Sequence, residues 1–176
     1  MLPPLLGSSS TRYSSWLMND EIRFTHIQSG PKLDDIRKLF LEYAGGLDFT
    51  LCFQNFDQEL EQLPGIYGLP DGRLILCEID GKAAGCVALK PLEPGVCEMK
   101  RLFVRPEFRG KGLGLKLAQR IVDEARGIGY KTMRLDTIRG KMDNAIALYE
   151  SLGFREISAY YSNPIPNAFY MELALQ

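Results

Sequence analysis

Apolar and polar residues alternate over 22–27 (IRFTHI), the period of a half-buried strand. Leu33, Ile36, Leu39, Phe40 and Tyr43 then recur at helical spacing, and Gly45 and Gly46 end that helix. Residues 56–63 read as a second, short helix stopped by Pro64 and Gly65. Two strands are predicted at 73–78 and 83–89, joined through Asp80 and Gly81, a strong signal for a tight hairpin turn. A third long strand, 96–104, is closed by Pro106. Leu113, Leu117, Ala118, Ile121, Val122 and Ala125 form one apolar helical stripe. Lys116, Arg120, Asp123 and Glu124 face away from it, and Gly127 and Gly129 end the helix. Residues 131–137 form another strand, with Met133, Leu135 and Thr137 on one side. A last helix over 144–152 puts Ala145, Leu148, Tyr149 and Leu152 on one face, with Gly153 at its C′ position. Strands at 154–157 and 168–173 follow, joined by a loop over 160–166.

The order β-α-α-β-β-β-α-β-α-β-β describes an α+β domain, a mixed sheet with helices on its faces. No repeat or linker divides residues 21–176, which read as one domain. Residues 1–20 differ: they are Ser-rich, with Arg12 the single base, and read as a flexible N-terminal extension whose end Trp16 and Leu17 could pin to the body. The apolar run at 2–6 is too short for a signal sequence; an organellar targeting tail is the weaker alternative to a cytoplasmic chain.

Composition narrows the function. The chain has 176 residues, 45% hydrophobic and 24% charged, with formal net charge −1. Such a chain has no basic excess to neutralise nucleic-acid phosphates and no apolar run of membrane-spanning length. Of the cysteines Cys52, Cys77, Cys86 and Cys97, none forms a CxxC pair, and the one histidine, His26, is far from any cysteine pair. No metal site is expected, and the cysteines read as reduced, three of them inside strands.

The run RGKGLG at 109–114 follows a strand and opens an amphipathic helix. Gly110, Gly112 and Gly114 let a backbone approach a ligand closely. The first N–H groups of a helix lack intrahelical partners and carry positive partial charge, so the segment suits a pyrophosphate, with Arg109 and Lys111 adding cationic charge. It matches neither a Walker A loop nor the GxGxxG dinucleotide fingerprint. A glycine-rich turn without a ligand, or a different phosphate-binding module, fits the run taken alone.

The longer segment EMKRLFVRPEFRGKGLGL at 98–115 resembles the acetyl-CoA-binding segment of the GNAT N-acetyltransferase superfamily. Arg109, Gly112 and Gly114 match its Gln/Arg-x-x-Gly-x-Gly/Ala pattern. The family's second segment is matched by NAIALYESLGF at 144–154, in the right order and with a strand between. The resemblance spans roughly residues 21–175. It implies the GNAT-like acyl-CoA N-acyltransferase fold: a mostly antiparallel six- to seven-stranded sheet with a central splayed parallel pair, flanked by about four helices.

The resemblance also implies how acetyl-CoA sits. Its pantetheine arm would pair with the backbone of Leu102, Phe103 and Val104, between strands 96–104 and 131–137. Its pyrophosphate would rest on N–H groups of Arg109, Gly110, Lys111, Gly112, Leu113 and Gly114. Asn144 matches a position that bonds the cofactor in many members. Homodimers are common in the family.

Acetyl transfer to a primary amine needs two proton transfers, one from the amine and one to the departing thiolate. Tyr149 matches the family tyrosine assigned as the acid. Glu98 corresponds to the glutamate base of some histone-acetylating members, and partial burial would raise its pKa. Glu78 and Asp136 rank below it as bases. The alternative for Glu98 is an ion pair with Lys100 or Arg101. An acyl-cysteine route through Cys97 is a minor variant, since strand alternation turns that thiol to the opposite face from Glu98. The acceptor site would be lined by Phe53, Tyr160, Tyr161 and Asn163, with Phe49, Phe56 and Tyr67 nearby. Neutral charge balance favours a small amine or a single amine of a peptide or protein. The competing function is a CoA-binding sensor or regulatory domain without catalysis.

Overall fold

A computed structural model describes residues 21–176; the N-terminal extension lies outside the described residues. Strands β1 (Ile22–His26), β2 (Arg73–Ile79), β3 (Lys82–Glu93), β4 (Val96–Val104), β5 (Thr132–Ile138), β6 (Arg155–Ile157) and β7 (Ala168–Ala174) form one sheet. The sheet has seven strands in the order β1-β2-β3-β4-β5-β7-β6. All neighbours are antiparallel except β4 and β5, which run parallel at the centre. The helices are α1 (Lys32–Gly45), α2 (Phe56–Gln62), α3 (Leu113–Ile128) and α4 (Asp143–Ser151).

Strand alternation divides the interior into two layers. Ile75, Cys77, Val87, Leu89, Cys97 and Met99 face the side covered by α3 and α4. Leu74, Leu76, Cys86 and Ala88 face the side covered by α1 and α2. The six apolar residues expected along α3 are its buried residues, and each Leu, Ile or Val among them contributes about 1.5–3 kcal/mol on burial. Gly127 lies inside that helix, which ends only at Gly129. In α4 the fully buried positions are Ile146 and Tyr149, while Ala145, Leu148 and Leu152 pack partly buried beside them. Ile146 was absent from the expected stripe. The hairpin turn forms as expected, with Ile79 paired to Lys82 across Asp80 and Gly81.

Two irregularities of β4 shape the site. It pairs with β5 only through Val96, Cys97 and Glu98, opposite Thr132, Met133 and Arg134. Beyond Glu98 the parallel strands make no ladder pairs, so a wedge opens between them. Second, Arg101 and Leu102 together stand opposite the single residue Val87. Arg101 takes the left-handed conformation, φ 58°, uncommon for a residue with a side chain. This β-bulge turns two consecutive side chains, Lys100 and Arg101, toward the same cavity.

Candidate active site

The wedge is lined from β4 by Met99, Lys100, Arg101 and Leu102, and from β5 by Leu135, Asp136, Thr137 and Ile138. Their facing backbone groups have no ladder partner in the opposite strand. On the β3 side Phe103 and Val104 are paired with Cys86 and Gly85. The hydroxyl of Thr137 is buried and has no hydrogen-bond partner. An unsatisfied buried hydroxyl costs about 1–3 kcal/mol, so a polar ligand in the wedge would relieve it. This fits the amide-bearing pantetheine arm of acetyl-CoA.

The glycine-rich loop leads from β4 to α3. Gly110 and Gly112 have φ of 82° and 72°. A Cβ at either position would meet nothing within 4 Å, so it is backbone conformation, not crowding, that requires glycine there. Lys116 N–H donates to the carbonyl of Gly112, closing the first turn of α3. The N–H groups of Leu113 and Gly114 therefore precede the intrahelical ladder and stay available to an anion. The Leu113 side chain is buried and anchors this turn in the core, whereas Arg109 and Lys111 are exposed. Arg109 also donates from Nε to the carbonyl of Val104 at 3.1 Å, tying the loop to the strand end.

Tyr149 reaches the wedge from α4. Its orientation is set by the helix end: Gly153 N–H donates to Glu150, and Phe154 N–H donates to the carbonyl of Tyr149. These are the two bonds of a Schellman cap, and the accompanying apolar contact is Phe154 against the Tyr149 ring, centroids 5.7 Å apart. Burial pushes the Tyr149 phenol well above its ordinary range, with Tyr43 and Asp136 adding to the effect. Asn144 stands exposed in the first turn of α4.

On the other side of β4 lies a cavity of about 270 Å³, whose walls include Glu98, Lys90, Lys100, Tyr160, Tyr161 and Ile66. Glu98 is 2% exposed. Its Oε1 accepts a 2.6 Å hydrogen bond from the Tyr160 hydroxyl, and its Oε2 lies 3.1 Å from Lys90 Nζ. Its cation partner is thus Lys90, neither Lys100 nor Arg101. Burial first, and Glu98 second, push the Tyr160 phenol far up, so it stays protonated.

Asp136 pairs with Lys100 at 3.0 Å and accepts from the Tyr161 hydroxyl and the Asn163 amide at 2.5 and 3.0 Å. Burial opposes its ionisation, but Lys100, Tyr161 and Asn163 outweigh burial and hold the carboxyl below its ordinary value. That makes it a weak proton acceptor. Glu78, the other alternative, is bound to Lys32 at 2.5 Å and lines neither the wedge nor the cavity.

Tyr160, Tyr161 and Tyr67 line the cavity beside Glu98, whereas Asn163 lines the wedge. Phe49 also faces the wedge, and Phe56 lies beneath Arg101 instead, 5.1 Å from its guanidinium. Phe53 sits in the single turn Cys52–Gln54, but its side chain lies outside the described residues. Cys97 faces the α3 layer, away from Glu98, and burial pushes its thiol up to about 12.

The sequence did not point to Lys90, and it offered Arg101 only as an alternative partner of Glu98. Arg101 forms a two-pronged pair with Glu59 of α2, at 2.9 and 2.7 Å, and donates to Gln54 at 2.9 Å. Tyr67 donates to the same Glu59 at 2.9 Å. Burial works against the Arg101 charge, but Glu59 outweighs it and holds the guanidinium above its ordinary value. The bulge is therefore clamped to α2.

A splayed parallel strand pair, a glycine-rich helix start at its end and an adjoining cavity sharing Gln54, Lys100 and Arg101 with the wedge are the arrangement that the resemblance to the GNAT superfamily implies. The comparisons agree. A model of the Acetyltransferase (GNAT) family matches residues 33–154. An N-acetyltransferase of Schizosaccharomyces pombe, described as uncharacterised, is 44% identical over 145 residues, covering 81% of this chain and 88% of that protein. The N-acetyltransferase YjgM of Escherichia coli, described likewise, is 35% identical over 125 residues, 69% of this chain and 73% of its own. Among solved structures, a GNAT-family acetyltransferase of Staphylococcus aureus Mu50 superposes with TM-score 0.74 at 19% identity, over 89% of this chain and 100% of that one. YncA of Salmonella typhimurium, solved with its cofactor acetyl-CoA, gives TM-score 0.65 at 21% identity over 88% and 94%. The chain belongs to the GNAT acetyltransferase family, and it is an acyltransferase of the N-acetyltransferase class.

Proposed function

We propose that this chain acetylates a primary amine by direct attack on acetyl-CoA bound in the wedge. Acetyl-CoA supplies an activated acyl group on a thiolate leaving group. Leu102 and Val104 offer it strand-like backbone partners, while Phe103 between them turns its backbone groups to Cys86 of β3; Thr137 offers a hydroxyl, and residues 109–114 an anion cradle. Asn144, in the first turn of α4, adds a side-chain contact to it. The amine enters from the cavity across β4.

Glu98 acts as the base through Tyr160. The carboxylate is too enclosed to meet the amine directly, but Tyr160 donates to it and keeps phenol lone pairs for an incoming N–H. As the amine gives a proton to the Tyr160 oxygen, the phenol proton passes to Glu98. Tyr149, kept protonated by burial, donates to the departing thiolate. Tyr161 and Asn163 act by ordering Asp136 and Lys100 beside the wedge.

The observation that carries this reading is the buried Tyr160–Glu98 hydrogen bond lining a cavity on the acceptor side of β4. A free-thiol release assay with acetyl-CoA against small amines, amino acids, polyamines and short peptides tests it. Thiol release dependent on one amine class is expected. Tight CoA binding with silence across the panel would instead indicate a sensor.

A further inference from the structure

Charge accounting in the acceptor cavity points to the kind of amine it takes. All the carboxylates around it are committed. Glu59 holds Arg101 with both oxygens and accepts from Tyr67. Asp136 holds Lys100, Tyr161 and Asn163. Glu98 holds Lys90 and Tyr160. Among the described residues, a second positive charge on the acceptor would find no carboxylate without a cation.

The cations are not equally accessible. The side chains of Arg101 and Lys100 are 2% and 10% exposed, and Lys90 is 27% exposed. Lys90 spends one contact, on Glu98. An ammonium has three N–H donors, so it has donors left for an anion entering the cavity. A second cavity of about 330 Å³ adjoins the first and also has Lys90 and Ile66 in its wall. Lys90 thus stands between the two.

Register fixes the spacing. Lys90 of β3 is directly opposite Glu98 of β4. Tyr160 and Lys90 hold the two oxygens of one carboxylate, so the groups that would meet the acceptor's amine and its anion are only one carboxylate apart. That suits a molecule whose amine and carboxylate sit on the same or neighbouring carbons. Beyond them the charged wall residues neutralise one another, Glu59 with Arg101 and Lys100 with Asp136, and the rest of the wall is uncharged: Ile66, 56% exposed, with Leu92, and then the amides of Gln58 and Gln62.

We propose that the acceptor is a short amino-carboxylate with an uncharged side chain, its amine on the Tyr160 oxygen and its carboxylate on Lys90 Nζ. The proposal rests on the acetyl-transfer reading above. It excludes polyamines and other acceptors with several positive charges.

The test compares matched acceptors in the thiol release assay: neutral α-amino acids, their carboxamides, and the amines left on removing the carboxylate. For the wild type, kcat/KM should favour the amino acid over its carboxamide by at least about tenfold, the size of one charge-assisted hydrogen bond. Lys90→Met and Lys90→Gln should bring that ratio close to one. The ratio is the readout because any harm to Glu98 lowers both members of a pair alike. Equal or better turnover of the uncharged members, or an unchanged ratio in the Lys90 variants, overturns this proposal while leaving acetyl transfer intact. Silence with every amine overturns both.

Discussion

The Tyr160 hydroxyl donates to Oε1 of Glu98 across 2.6 Å, joining the loop before β7 to the central strand β4. The two residues are 62 positions apart in sequence and meet in a wall of the cavity beside β4. Tyr160 is also packed edge-on against Tyr170 at 5.3 Å, which fixes its ring. A phenol so held shields a carboxylate and extends its reach.

If the pair moves one proton, its members act as a unit. Tyr160→Phe and Glu98→Gln should each lower kcat by about 10²-fold, the lower range for general acid–base catalysis, with KM for acetyl-CoA little changed. The double variant should be no slower than the slower single one. Steady-state kinetics of the four proteins checks this, and additive losses would contradict it.

Tyr149 should behave differently. Its phenol is raised by burial, so the proton needed by the thiolate stays in place throughout the neutral and mildly alkaline range. Tyr149→Phe should reduce kcat by about 10²–10⁴-fold. In the wild type, kcat should show no decline from this group until pH exceeds about 10, the ordinary phenol value. A pH–rate profile of kcat measures it.

The Arg101–Glu59 clamp makes a prediction about stability. Both side chains are nearly enclosed, at 2% and 8% exposure. Removing one partner leaves a buried charge, which costs about 3–5 kcal/mol. Glu59→Ala should show that loss in urea unfolding. Replacing both by methionine should recover most of it, because an apolar pair has no charge to desolvate.

Asp136 links stability to acid. Its carboxyl is held below the ordinary value, despite burial, by Lys100 and its hydrogen-bond donors. The unfolded chain therefore takes up that proton first as pH falls. The stabilisation is present above about pH 4, the ordinary Asp value, and is lost as pH drops through the lower folded-state value. Urea midpoints at pH 6 and pH 3 should differ less for Asp136→Asn than for the wild type.

Periodicity made the scaffold legible. The α3 stripe, the hairpin at Asp80 and the succession of strands and helices along the chain follow from spacing, whereas the order of strands within the sheet does not. The glycine-rich turn was legible because its demands fall on backbone: Gly110 and Gly112 take positive φ, and few residues do so freely. The surroundings of Glu98 were not legible, for two local reasons. The bulge at Arg101 breaks the two-residue period, so alternation cannot place Lys100 and Arg101 on one side, and Glu59 is 42 residues away. Lys90 lay just beyond the expected end of its strand, since a lysine followed by Pro91 reads as a terminus. β3 instead continues to Glu93, which carries Lys90 opposite Glu98.

The most direct test of the central claim is calorimetric titration of acetyl-CoA into the wild type and Gly112→Val. Gly112 has space for a side chain but a φ of 72° that a β-branched residue resists. One acetyl-CoA should bind each wild-type chain, and the variant should bind at least about tenfold more weakly, roughly the 1–2 kcal/mol of left-handed strain. Circular dichroism should show the same helix content in both. Equal affinity in the two proteins, or no binding to the wild type, would contradict an acetyl-CoA cradle at the start of α3.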